Sequence, residues 1–364
     1  MIAKQESAFI LRRKQLMATQ FMTPPSPRPV EVTPRQELWQ LIVGCFPSQA
    51  ISVAAQLGIA DLLKDGPKHP DELAAATGTH ARTLYRLLRA LAGVGVFAED
   101  EDGCFGLTPT AELLQKDVPG SMHAVGLLIG SVLQWPALGH LLYTVQTGKP
   151  AFDDLYGMTQ WQYMKQHPET YDLFHYAMTS FSAAEINAIL SAYDFSDVRT
   201  LVDIAGGQGK LLSAIVNAYP QLHGILFDLY EVTQEAKERF KAEGLENRCS
   251  TISGDMFVAL PKGADVYMMK TVIHDWDDEH TARLFRSCRA AMQPHARLLV
   301  ITRVVAPGNV PDTSKFQDIN MLITMNGSER TAAEIESLLD GAGLRLARIL
   351  PTRSPLSIVE CVPG

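Results

Sequence analysis

The sequence predicts an α/β chain: a doubly wound, mostly parallel sheet in its C-terminal half, preceded by a helical region that carries one small hairpin. Two observations predict this. After Arg199, short apolar runs (TLVDIA, GILFDL, VYMMKTV and RLLVITRVV) alternate with amphipathic ones (KLLSAIVNAY, QEAKERFKAEG, HTARLFRSCRAAM and AAEIESLLDGAG). Runs without polar alternation read as strands buried on both faces, and the segments between them as crossover helices. Before Arg199, from about Thr108 to Tyr193, the pattern is helical, with breaks expected at Pro119, Pro136, Pro150 and Pro168.

The elements upstream follow in order. Residues 1–34 hold a short basic stretch, ESAFILRRKQLMATQ, then TPPSPRPVEVTP, whose prolines exclude a regular element, so a flexible extension is expected. Leu38 to Leu63 is apolar almost all round, which predicts helices buried on several sides, with a partner subunit as the cover. In HPDELAAATGTHARTLYRLLRALAGVGVFAEDEDGCFGLT, Asp71 is expected to cap a helix that stops at Gly78, and a second helix runs to Gly93. Two strand-like pieces then flank Asp102-Gly103, the outline of a winged helix-turn-helix. The expected organisation is 1–34 extension, 35–193 helical winged-helix-like region for dimerisation and substrate capping, and 194–364 α/β domain.

Composition limits the function. With 40 acidic against 32 basic side chains, the formal charge of -8 offers no footprint for bulk nucleic acid or anionic membrane. The five cysteines are scattered, with no C-x-x-C pair, which fits a reducing cytoplasm. AFIL is too short for a signal core and no segment reaches the ~20 uncharged residues of a membrane span, so a soluble protein is expected. Small-molecule chemistry is the reading that remains.

In VDIAGGQGKLL a strand is expected to end at Asp203, glycines allow a tight turn and close ligand approach, and a helix N-terminus follows. The spacing is not the G-x-G-x-x-G of dinucleotide folds, although Asp228 closes the second strand at about the distance of a ribose-binding carboxylate. A glycine loop that merely turns strand into helix would read the same. His274, in VIHDWDDEH, falls just past the C-terminal end of a parallel strand, where open α/β sheets bind ligands. A neutral imidazole there can act as general base, whereas Asp277, Asp278 and Glu279 read as the acids of a helix N-terminus. A metal site from His274, Asp275, Asp278 and His280 is the competing use of the same residues.

Taken in this order, VDIAGGQG, LFDLYEV, SGDMF, HDW and NGSERT resemble the S-adenosylmethionine-dependent O-methyltransferases related to the plant caffeate type, and the bacterial small-molecule branch is similar from about Leu38 to the end. The resemblance implies a class I methyltransferase (Rossmann-like) domain, a homodimer interlocked through the N-terminal helices, and no metal. It implies S-adenosyl-L-methionine as cofactor, S-adenosyl-L-homocysteine as product, and a small hydroxylated acceptor. Ala205, Gly206 and Gly207 would lie against the methionine part, with Asp203 supporting the turn and Asp228 taking the ribose hydroxyls. Leu229 and Met256 would sandwich the adenine, Asp255 would accept its amino group, and Lys270 would line the pocket edge.

The same resemblance makes His274 the base and Glu329 one of two carboxylates that orient it. The second usually closes the fifth strand, where this chain has Thr302 and Arg303, so Asp275 is the candidate substitute. Ala205 also stands where the family usually has glycine, and Tyr230 where a proline is common. LFHYAM matches the segment that pins an aromatic acceptor: Phe174 and Met178, four apart, share a helix face, and Trp135, Met321 and Met325 are candidates to complete an apolar wall, a stripe that would equally suit a core. Competing readings are N- or C-methylation, a non-methylating reaction on the same cofactor, and a DNA-binding regulator using Arg82, Arg86 and Arg89, the last opposed by the acids Asp71, Glu72 and Glu99 to Asp102.

Overall fold

The computed structural model describes residues 33–364, apart from the side chains of 181–184. The expected extension, residues 1–34, lies outside the described residues except for its last two. Two compact units divide between Phe46 and Pro47. In the first, Thr33 caps the helix Pro34–Ile42: its Oγ1 accepts from the Gln36 N–H at 3.3 Å, while the Gln36 side chain accepts from the Thr33 N–H at 2.9 Å. Leu38, Trp39, Leu41 and Ile42 are all exposed on it.

A second helix, Cys45–Gln56, follows. By length and composition alone the 23-residue stretch Pro34–Gln56 is long and apolar enough to cross a membrane, which corrects the expectation that no segment is. The helical run is interrupted between Ile42 and Cys45.

In the second unit, helices Pro70–Thr77 and Ala81–Gly93 precede an antiparallel hairpin of β1 (Phe97–Glu99) and β2 (Phe105–Leu107). Gly78 ends the first helix at φ 67, in the left-handed conformation that favours glycine. The cap at the other end is His69, not Asp71: its Nδ1 accepts from the Asp71 N–H at 3.3 Å and Glu72 returns to the His69 N–H at 3.4 Å. Pro70 is the cause, because proline fits the first helical position and so makes His69, two residues before Asp71, the cap. For the same reason Pro136 and Pro168 open helices rather than break them, Trp135–Gly139 and the 25-residue Pro168–Ala192.

The remaining strands are β3 (Thr200–Ile204), β4 (His223–Asp228), β5 (Cys249–Ser253), β6 (Val266–Lys270), β7 (Arg297–Thr302), β8 (Val304–Val305), β9 (Arg330–Thr331), β10 (Leu344–Pro351) and β11 (Ser357–Pro363). Seven of them form one sheet in the order β10-β11-β7-β6-β3-β4-β5, with β8 and β9 paired separately. The five central and edge strands from β7 to β5 are parallel, while β11 runs antiparallel to both β7 and β10. Both faces are buried: Val202 and Ile204 of β3 with Leu298 and Val300 of β7 belong to one core, and Leu201, Leu299 and Ile301 to the other. This explains the unbroken apolar runs in the sequence.

Three boundaries differ from expectation. β3 continues one residue past Asp203, RLLVITRVV splits at Arg303 into two strands, and the β10-β11 pair was not foreseen. Between β3 and β6 the order of connection reverses, and such a switch point opens a crevice at the strands' carboxyl ends.

Candidate active site

The loop after β3 is bent onto the strand ends. Ala205 has a φ of 52 and donates its N–H to the Phe227 carbonyl at 2.8 Å, a left-handed backbone in which a Cβ is disfavoured. A Cβ on Gly206 would meet the Asp203 carboxylate and Leu226. The Gly207 N–H reaches Asp228 Oδ2 at 3.0 Å, and the Leu229 N–H reaches Oδ1 at 2.7 Å. Burial outweighs these two bonds and raises the Asp228 carboxyl above its ordinary range. Burial, with Asp228 adding and Lys270 opposing, pushes Asp203 up to about 7.

Beyond these carboxylates the surface becomes apolar: Leu229 is 60% exposed, and Met256 packs on the edge of the core below. Asp255 Oδ1 accepts the Phe257 N–H at 2.8 Å, fixing the turn after β5. A half-buried carboxylate with free lone pairs, a loop without room for a side chain and a flat exposed leucine together suit an adenosyl group. Lys270 does more than line an edge: its Nζ pairs with Glu185 Oε2 at 2.8 Å, and that glutamate is 8% exposed. Glu185 escaped sequence reasoning because nothing local marks it within a helix 85 positions upstream.

His274 sits on a single 3-10 turn, Ile273–Asp275, just past β6. Its Nδ1 lies 2.9 Å from Glu329 Oε1, and its Nε2 lies 3.4 Å from Asp275 Oδ1. With Nδ1–H donating to Glu329, Nε2 is left to accept a proton. Burial lowers the imidazole's affinity for protons, but Asp275 and Glu329 outweigh it and raise the pKa overall. Burial also pushes Asp275 up to about 6. Asp275 therefore faces Nε2, while Glu329 holds Nδ1.

Two residues that sequence reasoning passed over hold this arrangement. Arg330, only 3% exposed, donates to the carbonyls of Ile273 and Trp276, both at 2.8 Å, and pairs with Asp278 at 2.9 Å. Gly327 lies so close to the His274 carbonyl that a Cβ there would overlap it. Asp277 caps the helix Asp278–Ala291 by accepting from the His280 N–H at 2.9 Å, so the acids after His274 act as the helix opening the sequence suggested. Arg303 also approaches Glu329, Nη1 to Oε1 at 3.6 Å, whereas Thr302 is buried in β7.

The expected acceptor wall is only partly assembled. Phe174 meets Trp161 edge-to-face, ring centroids 5.7 Å apart, and packs on a core of Leu128, Leu133, Phe152 and Ile323. Met178, on the same helix face, is 39% exposed. Trp135, Met321 and Met325 lie outside that core: the first is half-buried at a helix start, the other two buried at the end of Ser314–Thr324.

The chain and its fold have known counterparts. Residues 138–345 match the model of the O-methyltransferase domain, and residues 39–117 that of the O-methyltransferase dimerisation domain. The chain belongs to the O-methyltransferase family. It is 43% identical to the phenazine O-methyltransferase of Lysobacter antibioticus over 90% of this chain and 95% of that one. It is 39% identical to the mitomycin biosynthesis 6-O-methyltransferase of Streptomyces lavendulae over 88% of this chain and 92% of that one. An O-methyltransferase of neocarzinostatin biosynthesis, solved with S-adenosylmethionine and 2-hydroxy-5-methyl naphthoic acid, superposes with a TM-score of 0.75 at 33% identity, covering 88% of this chain and 96% of that one. Two further relatives carry the names of N-methyltransferases, acting on 8-amino-8-demethylriboflavin and on phenazine-1-carboxylate. As a member of this family the chain is an S-adenosylmethionine-dependent methyltransferase.

Proposed function

We propose that the chain methylates a phenolic hydroxyl of a small aromatic metabolite, with His274 as general base. The observation that carries this reading is the His274–Glu329 pair at the carboxyl end of the sheet, beside the Asp228 loop. S-Adenosylmethionine, when bound, supplies an electrophilic methyl group on a sulfonium. Asp228 would hold the ribose hydroxyls, Ala205, Gly206 and Gly207 the methionine part, Leu229, Asp255 and Met256 the adenine, and Asp203 and Lys270 the inner wall. His274 Nε2 takes the acceptor's proton as its oxygen attacks, so the C–O bond forms as the C–S bond breaks. Glu329 fixes the ring through Nδ1, and Asp275 stabilises the proton arriving at Nε2. Such a base contributes about 10²–10⁴-fold, and alignment of the reactants supplies more.

Phe174, Met178, Trp135, Met321 and Met325 are assigned to the acceptor side. We assign the boundary near Tyr193 to the division between a capping region and the cofactor domain. The exposed Trp39, Leu41 and Ile42, at the start of the matched dimerisation segment, and Leu38 just before it are assigned to contact with a second copy. The test is calorimetric titration with S-adenosylmethionine and S-adenosylhomocysteine, then mass spectrometry of phenolic acceptors for a gain of one methyl group. Methyl gain on an aromatic amine alone would favour the N-methylating alternative, and cofactor binding without transfer would favour the non-methylating one.

A further inference from the structure

We propose that Arg303 is a specificity residue that binds a carboxylate on the acceptor, so that the preferred substrates are aromatic hydroxy acids; this rests on the methyl-transfer reading above. Arg303 is the single residue between β7 and β8, and β8 pairs in parallel with β9 so that Val304 stands opposite Arg330. The pairing places Arg303 beside Glu329 and therefore beside the base. Its guanidinium and the His274 imidazole approach the same oxygen, Glu329 Oε1, at 3.6 and 2.9 Å.

The guanidinium carries five N–H donors in a fixed fork, suited to a carboxylate. Among the described residues Arg303 makes no hydrogen bond, and its only ion pair is the long one to Glu329. Its side chain is 17% exposed, and none of its nitrogens is among the sealed, unpartnered buried atoms. Each nitrogen is therefore within reach of solvent and free of a hydrogen bond, so the fork is open to a carboxylate that enters beside His274. The nearby Lys270 is already consumed by Glu185 at 2.8 Å. An acid at this strand end would repel an anionic acceptor; an arginine attracts one, next to the atom that removes the proton.

The alternative is that Arg303 merely neutralises Glu329. In that case its loss would slow all acceptors alike and leave their ranking unchanged.

The experiment uses the full chain saturated with S-adenosylhomocysteine. Hydroxylated benzoates, naphthoates and phenazine carboxylates are titrated, each against its own primary carboxamide, into wild type, Arg303→Gln and Arg303→Lys, and turnover is measured in parallel. In wild type the acid of at least one pair should bind at least about tenfold more tightly than its amide, as for a charge-assisted bond. That ratio should fall to within about twofold in Arg303→Gln and largely survive in Arg303→Lys, with S-adenosylhomocysteine affinity unaltered in both. No acid preferred in any pair, or a preference unchanged in Arg303→Gln, overturns the proposal. Methyl transfer to neutral phenols without acid preference overturns it while sparing the O-methylation reading. Arginine-dependent acid binding without a methylated product does the reverse.

Discussion

His274 Nδ1 lies 2.9 Å from Glu329 Oε1, and the glutamate side chain is fully buried, so the imidazole's orientation is set by a partner that solvent cannot compete for. The neutral isostere tests this. Glu329→Gln should lower kcat at least about tenfold, the scale of a general-base contribution, while leaving S-adenosylmethionine affinity within about twofold. The pH profile should move as well. Glu329 is among the charges that raise the His274 pKa, and a base must be deprotonated to act, so the rising limb of activity should shift to lower pH in the variant. A rising limb that stays in place would remove Glu329 from contact with the titrating group.

Asp228 accepts two backbone N–H groups at 3.0 and 2.7 Å and still retains lone pairs for a diol. Asp228→Ala should weaken S-adenosylhomocysteine binding by about 1.5–3 kcal/mol, the scale of a hydrogen bond to a charged group. Calorimetry decides: equal affinities in variant and wild type would place the ribose elsewhere.

Much of this site was legible because its residues lie at strand ends within short motifs. Asp203, Asp228 and His274 lie at or just past the ends of apolar runs buried on both sheet faces, which locates each strand end to within a few residues, β3 closing at Ile204 and β6 at Lys270. What was not legible depends on contacts between distant segments. Glu185 reaches Lys270 from 85 positions away. Arg330 was overlooked beside its motif glutamate, since only the fold shows it clamping the carbonyls behind His274. The β10-β11 pair was missed because β10 (LRLARILP) breaks its apolar pattern with arginines, as an edge strand facing solvent can. The N-cap shifted from Asp71 to His69 through one proline, a local effect that spacing alone does not register.

Arg330 supports the turn that carries the proposed base, His274. Replacing it with methionine keeps bulk but leaves the carbonyls of Ile273 and Trp276 without donors, each bond having been 2.8 Å. Unsatisfied buried groups cost about 1–3 kcal/mol each, so Arg330→Met should lower Tm by several degrees and also reduce kcat, because the turn that carries His274 loses its support. Full stability with reduced kcat would make Arg330 a purely functional residue, contrary to this account.

Gly327 supplies the complementary contact, since a Cβ there would overlap the His274 carbonyl. Gly327→Ala should therefore push the turn away from Glu329 and cost at least about tenfold in kcat/KM, the penalty of a displaced base. Cofactor affinity, assigned above to the Asp228 side of the switch point, should stay nearly constant. Activity equal to wild type would show that the loop at Gly327 relaxes without moving His274.

Asp203 allows a stability test that needs no substrate. Burial and the Asp228 charge push its carboxyl up to about 7, against about 3.9 in an unfolded chain. Below the unfolded value both states are protonated and nothing is lost. Between the two values the unfolded state releases the proton and the folded state keeps it, so rising pH removes stability; above about 7 the loss is complete and constant. Asp203→Asn has no such titration. The Tm advantage of the variant over wild type, measured without cofactor, should widen by about 2–4 °C between about pH 5 and about pH 8 and then level off. Parallel curves for the two proteins would mean that Asp203 ionises at an ordinary pKa and that Lys270, despite its pairing with Glu185, compensates its charge in full.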